Sequence, residues 1–152
     1  MQAKKELKVS AIKDGTVIDH IPSQNLFSVI NILGLTNIGS QVTFGFNLES
    51  KKLGKKAIIK VADLFFRDEE INKISLVAPD AKLNIIRDYK VVEKRVVSVP
   101  DEITAIAKCM NPKCISNHEA ITTRFEVVQK KPVALKCRYC EKITDQHHLE
   151  II

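Results

Sequence analysis

Between His20 and Leu48 the chain carries no aspartate, glutamate, lysine or arginine. Such an absence can mark a membrane span, but Pro22, Gly34, Gly39 and several Ser, Asn and Gln interrupt the stretch. No apolar run reaches the about 18 residues a spanning helix needs. The opening Met1-Gln-Ala-Lys-Lys-Glu-Leu-Lys lacks the apolar core of a secretory signal, so the expectation is a soluble, cytoplasmic protein without membrane contact. No G-x-S-x-G, H-E-x-x-H or G-x-G-x-x-G occurs, and no nucleophile stands beside a base. Gly54-Lys55-Lys56 lacks the glycine spacing and the Ser/Thr of a phosphate loop. Asp19-His20 is a polar pair at a strand end, which alone does not make a catalytic dyad. The residues therefore favour a binding protein over an enzyme. No cysteine precedes residue 109, and there is no internal repeat or low-complexity segment.

What is present is ordinary for a globular chain: 152 residues, 45% hydrophobic and 28% charged, enough to bury a core in one or two domains. The net charge of +6 divides unevenly, with +5 in residues 1–100 and +1 in residues 101–152. An anionic partner is plausible for the first part. Val99-Pro100 reads as a stiff connection, giving domains 1–100 and 101–152.

In the first hundred residues Leu7, Val9 and Ala11 alternate with polar neighbours, and Thr16-Val17-Ile18 follows a Lys13-Asp14-Gly15 turn. Ser23 is the expected N-cap of a helix carrying Leu26, Val29, Ile30 and Leu33, closed by Gly34. Gln41 to Ser50 alternates with period two, setting Val42, Phe44, Phe46 and Leu48 on one side. Lys55 to Ala62 follows as a second strand. Asp68 is the expected cap of a short helix bearing Ile71, Ile74 and Leu76, stopped before Pro79. Leu83 to Ile86 and Tyr89 to Val97 complete a β-α-β-β-α-β order with an extra strand. That order predicts a split βαβ arrangement, an antiparallel sheet with two helices on one face.

The last fifty residues show strand candidates at Ile121 to Val128 and Val133 to Lys136. So small a region needs a staple beyond its core. Cys109-Met-Asn-Pro-Lys-Cys114 and Cys137-Arg-Tyr-Cys140 supply it: C-x4-C and C-x2-C are spaced as two knuckles holding one Zn²⁺ by four thiolates. Two disulfides or free thiols are the alternative, and disulfides are disfavoured in a reducing compartment. His118, His147 and His148 could each replace a thiolate but read as surface residues. Four thiolates leave no open position for water, so the zinc is structural. The four thiolates and Zn²⁺ together turn the local charge from +1 to about −1, and Phe125 and Tyr139 are the only aromatics there, an unpromising surface for nucleic acid. A nucleic-acid-binding zinc ribbon remains the alternative reading. Positive charge concentrates instead at Lys51, Lys52, Lys55, Lys56 and Lys60. Lys56 and Lys60 share a strand face, Lys94 can join them, and convergent lysines bind phosphates.

Ala11-Ile-Lys-Asp-Gly-Thr-Val-Ile-Asp-His-Ile-Pro22, Asn84-Ile-Ile-Arg-Asp-Tyr89-Lys-Val91 and the four-cysteine pattern closed by Cys137-Arg-Tyr-Cys140-Glu141 resemble the regulatory chains of aspartate carbamoyltransferase. The likeness spans essentially the whole chain. It implies an α+β subunit: a ferredoxin-like allosteric domain with an antiparallel sheet, then a small all-β, rubredoxin-like zinc ribbon that docks the catalytic chain. It implies a non-catalytic role in pyrimidine biosynthesis. Two catalytic trimers and three regulatory dimers would form a dodecamer, the regulatory homodimer joining through its N-terminal domain. CTP (with UTP) would inhibit and ATP activate.

The resemblance also implies an effector site of Val9, Ala11, Ile12, Asp19, His20, Lys56, Lys60, Asn84, Ile86, Tyr89, Val91 and Lys94. Backbone around Ile12 and Tyr89 would read the base, Asp19 the ribose, Lys60 the ribose and base side, and Lys94 and His20 the phosphates. Ser10 stands where Glu is common and Glu6 where Lys is common. Cys109, Cys114, Cys137 and Cys140 would hold the zinc, and Asn111, Glu119, Arg138, Tyr139 and Glu141 would lie at the catalytic-chain contact.

Overall fold

The computed structural model describes residues 11–152. Val9, Ser10 and Glu6 lie outside the described residues. The chain forms two compact units, the first ending at Ser98 and the second running from Val99 to Ile152.

The first unit contains β1 (Gly15–Pro22), α1 (Leu26–Ile32), β2 (Val42–Ser50), β3 (Gly54–Ala62), α2 (Asp68–Ile71), β4 (Lys82–Arg87) and β5 (Lys90–Val96). The sheet order is β2-β3-β1-β4-β5, with every neighbouring pair antiparallel. It is the split βαβ sheet with one strand added at an edge. Side chains alternate across a strand, so Ile18, Ile59, Val61, Leu83 and Ile85 share one face, all buried together with Leu26, Val29, Ile71 and Ile74 of the helical segments. The opposite face carries the intervening residues Val17, Lys60 and Asn84.

Two helix caps differ from expectation. A 3-10 turn, Ser23–Asn25, precedes α1, and Asn25 occupies its N-cap. The Ser23 hydroxyl instead accepts the Asn47 N–H at 2.8 Å, tying the helix entry to β2. Gly34 closes the helix at φ 66, a backbone that suits glycine. Asp68 is the first residue of α2 rather than its cap: Arg67 is the cap, and its N–H donates to Glu70 Oε1 at 2.9 Å. The helix then continues as a 3-10 segment, Asn72–Leu76, which buries Ile74 and Leu76.

The alternation of β2 is also broken. A bulge lies between Gly45 and Leu48, with Asn47 at φ 61. Val42 and Phe44 pair opposite Val61 and Ile59, on the core face, but Leu48 pairs opposite Lys56 on the other. Phe44 and Phe46 stay partly exposed and pack edge-on against Phe27, with ring centroids 5.9 and 6.3 Å apart.

The second unit is all-β. β6 (Glu102–Thr104), β8 (Arg124–Lys130), β9 (Val133–Cys137) and β10 (Ile143–Asp145) form a sheet of order β10-β9-β8-β6, while β7 (Ala107–Lys108) pairs with β11 (Glu150–Ile151). The strand expected from Ile121 begins only at Arg124, because Thr123 is held by its hydroxyl donating to Ala107 O at 2.7 Å. Ile103, Ile106, Phe125, Val133 and Leu135 are the large side chains of a small core.

Candidate metal centre and effector face

The four cysteines come from two loops and a strand end. Cys109 follows β7, Cys114 opens a short 3-10 turn (Ile115–Asn117), Cys137 ends β9 and Cys140 begins the return toward β10. The first knuckle is held by Asn117, whose Nδ2 donates to Cys109 O at 3.0 Å and Asn111 O at 2.8 Å. In the second, the Tyr139 N–H donates to Cys137 Sγ at 3.4 Å, and Glu141 turns the chain at φ 64.

The four sulfurs lie within 4.8 Å of one another. Cys109 Sγ is 3.6 Å from Cys140 Sγ, and Cys114 Sγ is 3.7 Å from Cys137 Sγ. These distances are too long for disulfides. Sulfurs about 2.3 Å from a central Zn²⁺ form a tetrahedron with edges of about 3.8 Å, close to what is seen. The donor set therefore fits one structural zinc ion. Burial pushes the Cys109 thiol up to about 12 and Cys137 upward as well. Burial acts on Cys140 too, but donors including the Lys142 N–H and the Asn111 side chain outweigh it and lower that thiol to about 7. Bringing all four to the thiolate form requires the cation. His118, His147 and His148 are exposed and outside the cluster, and His148 Nδ1 lies 2.7 Å from Asp145 Oδ1.

The open face of the first unit's sheet is built by register. Lys60 of β3 pairs with Val17 of β1, Val17 with Asn84 of β4, and Asn84 with Lys94 of β5. One line across four strands thus runs lysine, valine, asparagine, lysine. The next line places Asp19 opposite Lys82, and Lys82 opposite Val96. A bulge between Ile18 and Ile21 sets Asp19 and His20 of β1 against the single residue Ile58 of β3, His20 taking φ 61. Asp19 and His20 thereby both line a depression of about 400 Å³, together with Lys82, Asn84, Lys94, Arg95 and Val96. That size lies in the range of small-molecule sites.

Charges on this face are partly matched. Lys56 Nζ contacts Asp19 at 3.0 and 3.2 Å. The Asp19 carboxylate also accepts the His20 N–H at 2.6 Å, and His20 Nδ1 is buried with no hydrogen-bond partner among the described residues. Burial lowers the Lys60 pKa, while the charge of Asp19 draws it partly back. The remaining residues named from the resemblance sit toward the other end of the sheet. The Tyr89 N–H donates to Lys13 O at 2.8 Å and the Asp88 N–H to Asp14 Oδ1 at 3.0 Å, bringing the β4–β5 turn to the segment that carries Ala11 and Ile12. Ile86 is buried and paired with the half-exposed Val91. Lys82, Arg95 and Val96 are additions that sequence reasoning missed. Extending the outward alternation of β4 from Asn84 by two residues would have reached Lys82.

A zinc-stapled β unit, joined in one chain to an α+β unit with an open polar sheet face, defines a binding protein. Comparisons with known proteins identify it further. Residues 7–98 match the family model described as aspartate carbamoyltransferase regulatory chain, allosteric domain, and residues 101–150 match the metal binding domain of the same chain. The regulatory chain of Bacteroides fragilis is 59% identical over 149 residues, covering 98% of this chain and 97% of that one. The regulatory chain of Pyrococcus horikoshii is 53% identical over 146 residues, covering 95% and 96%. The chain belongs to the family of aspartate carbamoyltransferase regulatory chains, the non-catalytic subunits. The nucleic-acid reading is not favoured, and no helix among the described residues is long and apolar enough to cross a membrane.

Proposed function

We propose that this chain binds nucleoside triphosphates on the open face of its first unit and relays their presence to catalytic chains docked on its second. Family membership implies the association with catalytic chains. The register line Lys60–Val17–Asn84–Lys94, with Asp19 and His20 at its margin, is the observation that carries the nucleotide reading. Asp19, His20, Asn84 and Lys94 line a small-molecule-sized depression, and Lys60 lies buried farther along the same line. Asp19 meets the ribose, Lys94 and His20 the phosphates, and Lys60 the ribose and base side, while the Ile12 and Tyr89 backbone reads the base. CTP and UTP inhibit and ATP activates, in the cytoplasm, within pyrimidine biosynthesis.

The zinc unit docks the catalytic chain through its knuckles, where Met110, Ile115 and Tyr139 are exposed apolar groups beside Glu119, Arg138 and Glu141. Asn111 is half-buried at the same knuckle. Regulatory chains pair through the first unit along β2. That edge strand carries no charge from Val42 to Leu48, and its Phe44 and Phe46 form an exposed aromatic cluster with Phe27. The β5 edge, by contrast, is guarded by Lys90, Glu93, Lys94 and Arg95. Three such dimers would join two catalytic trimers into the dodecamer.

The test is the aspartate saturation curve of the reconstituted complex with and without ATP, CTP and UTP. Allosteric coupling of about 1–3 kcal/mol shifts the half-saturation point several-fold. No shift with any nucleotide would refute the relay.

A further inference from the structure

Arg95 lines the depression, but its guanidinium is already engaged: it lies 2.9 Å from Glu93 Oε2, 3.5 Å from Asp68 Oδ1, and donates to Phe66 O at 2.9 Å. Lys56 is committed to Asp19. Lys82 and Lys94 are different. Neither forms an ion pair or a hydrogen bond among the described residues, and both are exposed at the lip of the depression. Because Asn84 pairs with Lys94, Lys82 is the diagonal cross-strand neighbour of Lys94 on the same face, at a separation of about 7–8 Å between such positions. Asp19, the residue directly opposite Lys82, is already matched by Lys56 and does not neutralise it.

We propose that Lys82 is a specificity-determining residue that, with Lys94, reads the length of a phosphate chain. This inference rests on the nucleotide reading of the same face. Two ammonium groups on adjacent strands repel when the depression is empty of anions. A single phosphate placed to satisfy one leaves the other unmatched. A chain of two or three phosphates spans both and relieves the repulsion, so each added phosphate strengthens binding until both lysines are matched. Lysine suits this task as a mobile point charge that follows a flexible polyphosphate without demanding bidentate geometry. Lys60, at the far end of its line beyond Val17 and Asn84, takes no part in the length discrimination.

Calorimetric titration of the full-length chain with ATP, ADP, AMP and inorganic triphosphate decides the matter, using wild type, Lys82→Gln, Lys82→Arg and, as a charge-loss control on the helical side, Lys73→Gln. Loss of a charge-assisted contact corresponds to tenfold or more in affinity. Lys82→Gln is expected to weaken ATP and inorganic triphosphate by about that factor and AMP by less than twofold, compressing the ATP-to-AMP ratio. Lys82→Arg restores most of the ratio, and Lys73→Gln leaves it unchanged. Wild type that binds ATP while Lys82→Gln binds it equally well overturns this inference and leaves the nucleotide reading standing. Equal losses for ATP and AMP overturn it as well, since Lys82 would then not be reading length. Wild type that binds none of the four probes overturns the nucleotide reading itself.

Discussion

Replacing Cys137 by serine removes one corner of the sulfur tetrahedron, and the second unit should fail as a whole. Its core offers five large buried side chains, Ile103, Ile106, Phe125, Val133 and Leu135, each contributing about 1.5–3 kcal/mol on burial. A structural zinc ion contributes an apparent 10–16 kcal/mol, roughly the gross value of that entire core. Few domains hold a margin above about 15 kcal/mol, so loss of the metal exceeds what the unit can spare. Cys137 is also buried and joins β9 to the second knuckle. The first unit draws its core from Ile18, Ile59, Leu83 and the helices, and owes nothing to the cysteines. Hydrogen exchange read by mass spectrometry, with zinc content measured on the same samples, separates the two. In Cys137→Ser, amides of β8 and β9 should exchange at near-unfolded rates while those of β1, β3 and β4 keep their protection. The same variant should fail to retain catalytic chains in a reconstituted complex. One zinc per chain with normal protection in β8 and β9 would refute the reasoning.

Three further outcomes are expected. Burial lowers the pKa of Lys60, so a bound anion, by favouring the ammonium form, should make nucleotide binding take up protons as pH rises into the lysine range. Affinity should then fall through the Lys60 pKa of the free chain, and calorimetry in buffers of different ionisation enthalpy, with Lys60→Gln as reference, reads this directly. Phe44→Glu places a charge among Phe27 and Phe46 at the β2 edge and should shift the proposed regulatory dimer toward monomer in sedimentation at micromolar concentration. Gly15→Ala should destabilise the first unit by about 3 kcal/mol in urea unfolding, because φ is 140 and the new Cβ would clash with Val61 O.

Local spacing made the zinc ligands legible: C-x4-C and C-x2-C declare a tetrahedron whatever the surrounding fold. The element order of the first unit was equally readable, since Leu26, Val29 and Ile30 repeat with helical period and Ala57, Ile59 and Val61 alternate. What escaped depends on contacts far apart in the chain. Ser23 and Asp68 are good cap residues in isolation, yet the Ser23 hydroxyl is taken by Asn47 and the chain enters α2 one residue earlier, at Arg67. The side of Leu48 was misassigned because a bulge in β2 interrupts a pattern that looks unbroken in sequence. Lys82 was missed because β4 was expected to begin at Leu83. The short strands β6, β7, β10 and β11 have too few residues for any period to show.

The bulge in β1 bears on how the central strand came to have its spelling. Ile18 and Ile21 are both fully buried yet stand three positions apart, a spacing that a regular strand, with its period of two, cannot send to one side. A chain one residue shorter at this point would be the better strand: hydrophobic residues in step, no left-handed histidine, an unbroken ladder to β3. It would also present one polar side chain at the rim instead of two in succession. The irregular version keeps Asp19 and His20 side by side at the depression and accepts a misfit backbone in the middle of the sheet. Strands elsewhere in the unit can drift in composition so long as they alternate, but this one is fixed in its count, and a single-residue deletion there would separate this polar pair while leaving a regular strand behind.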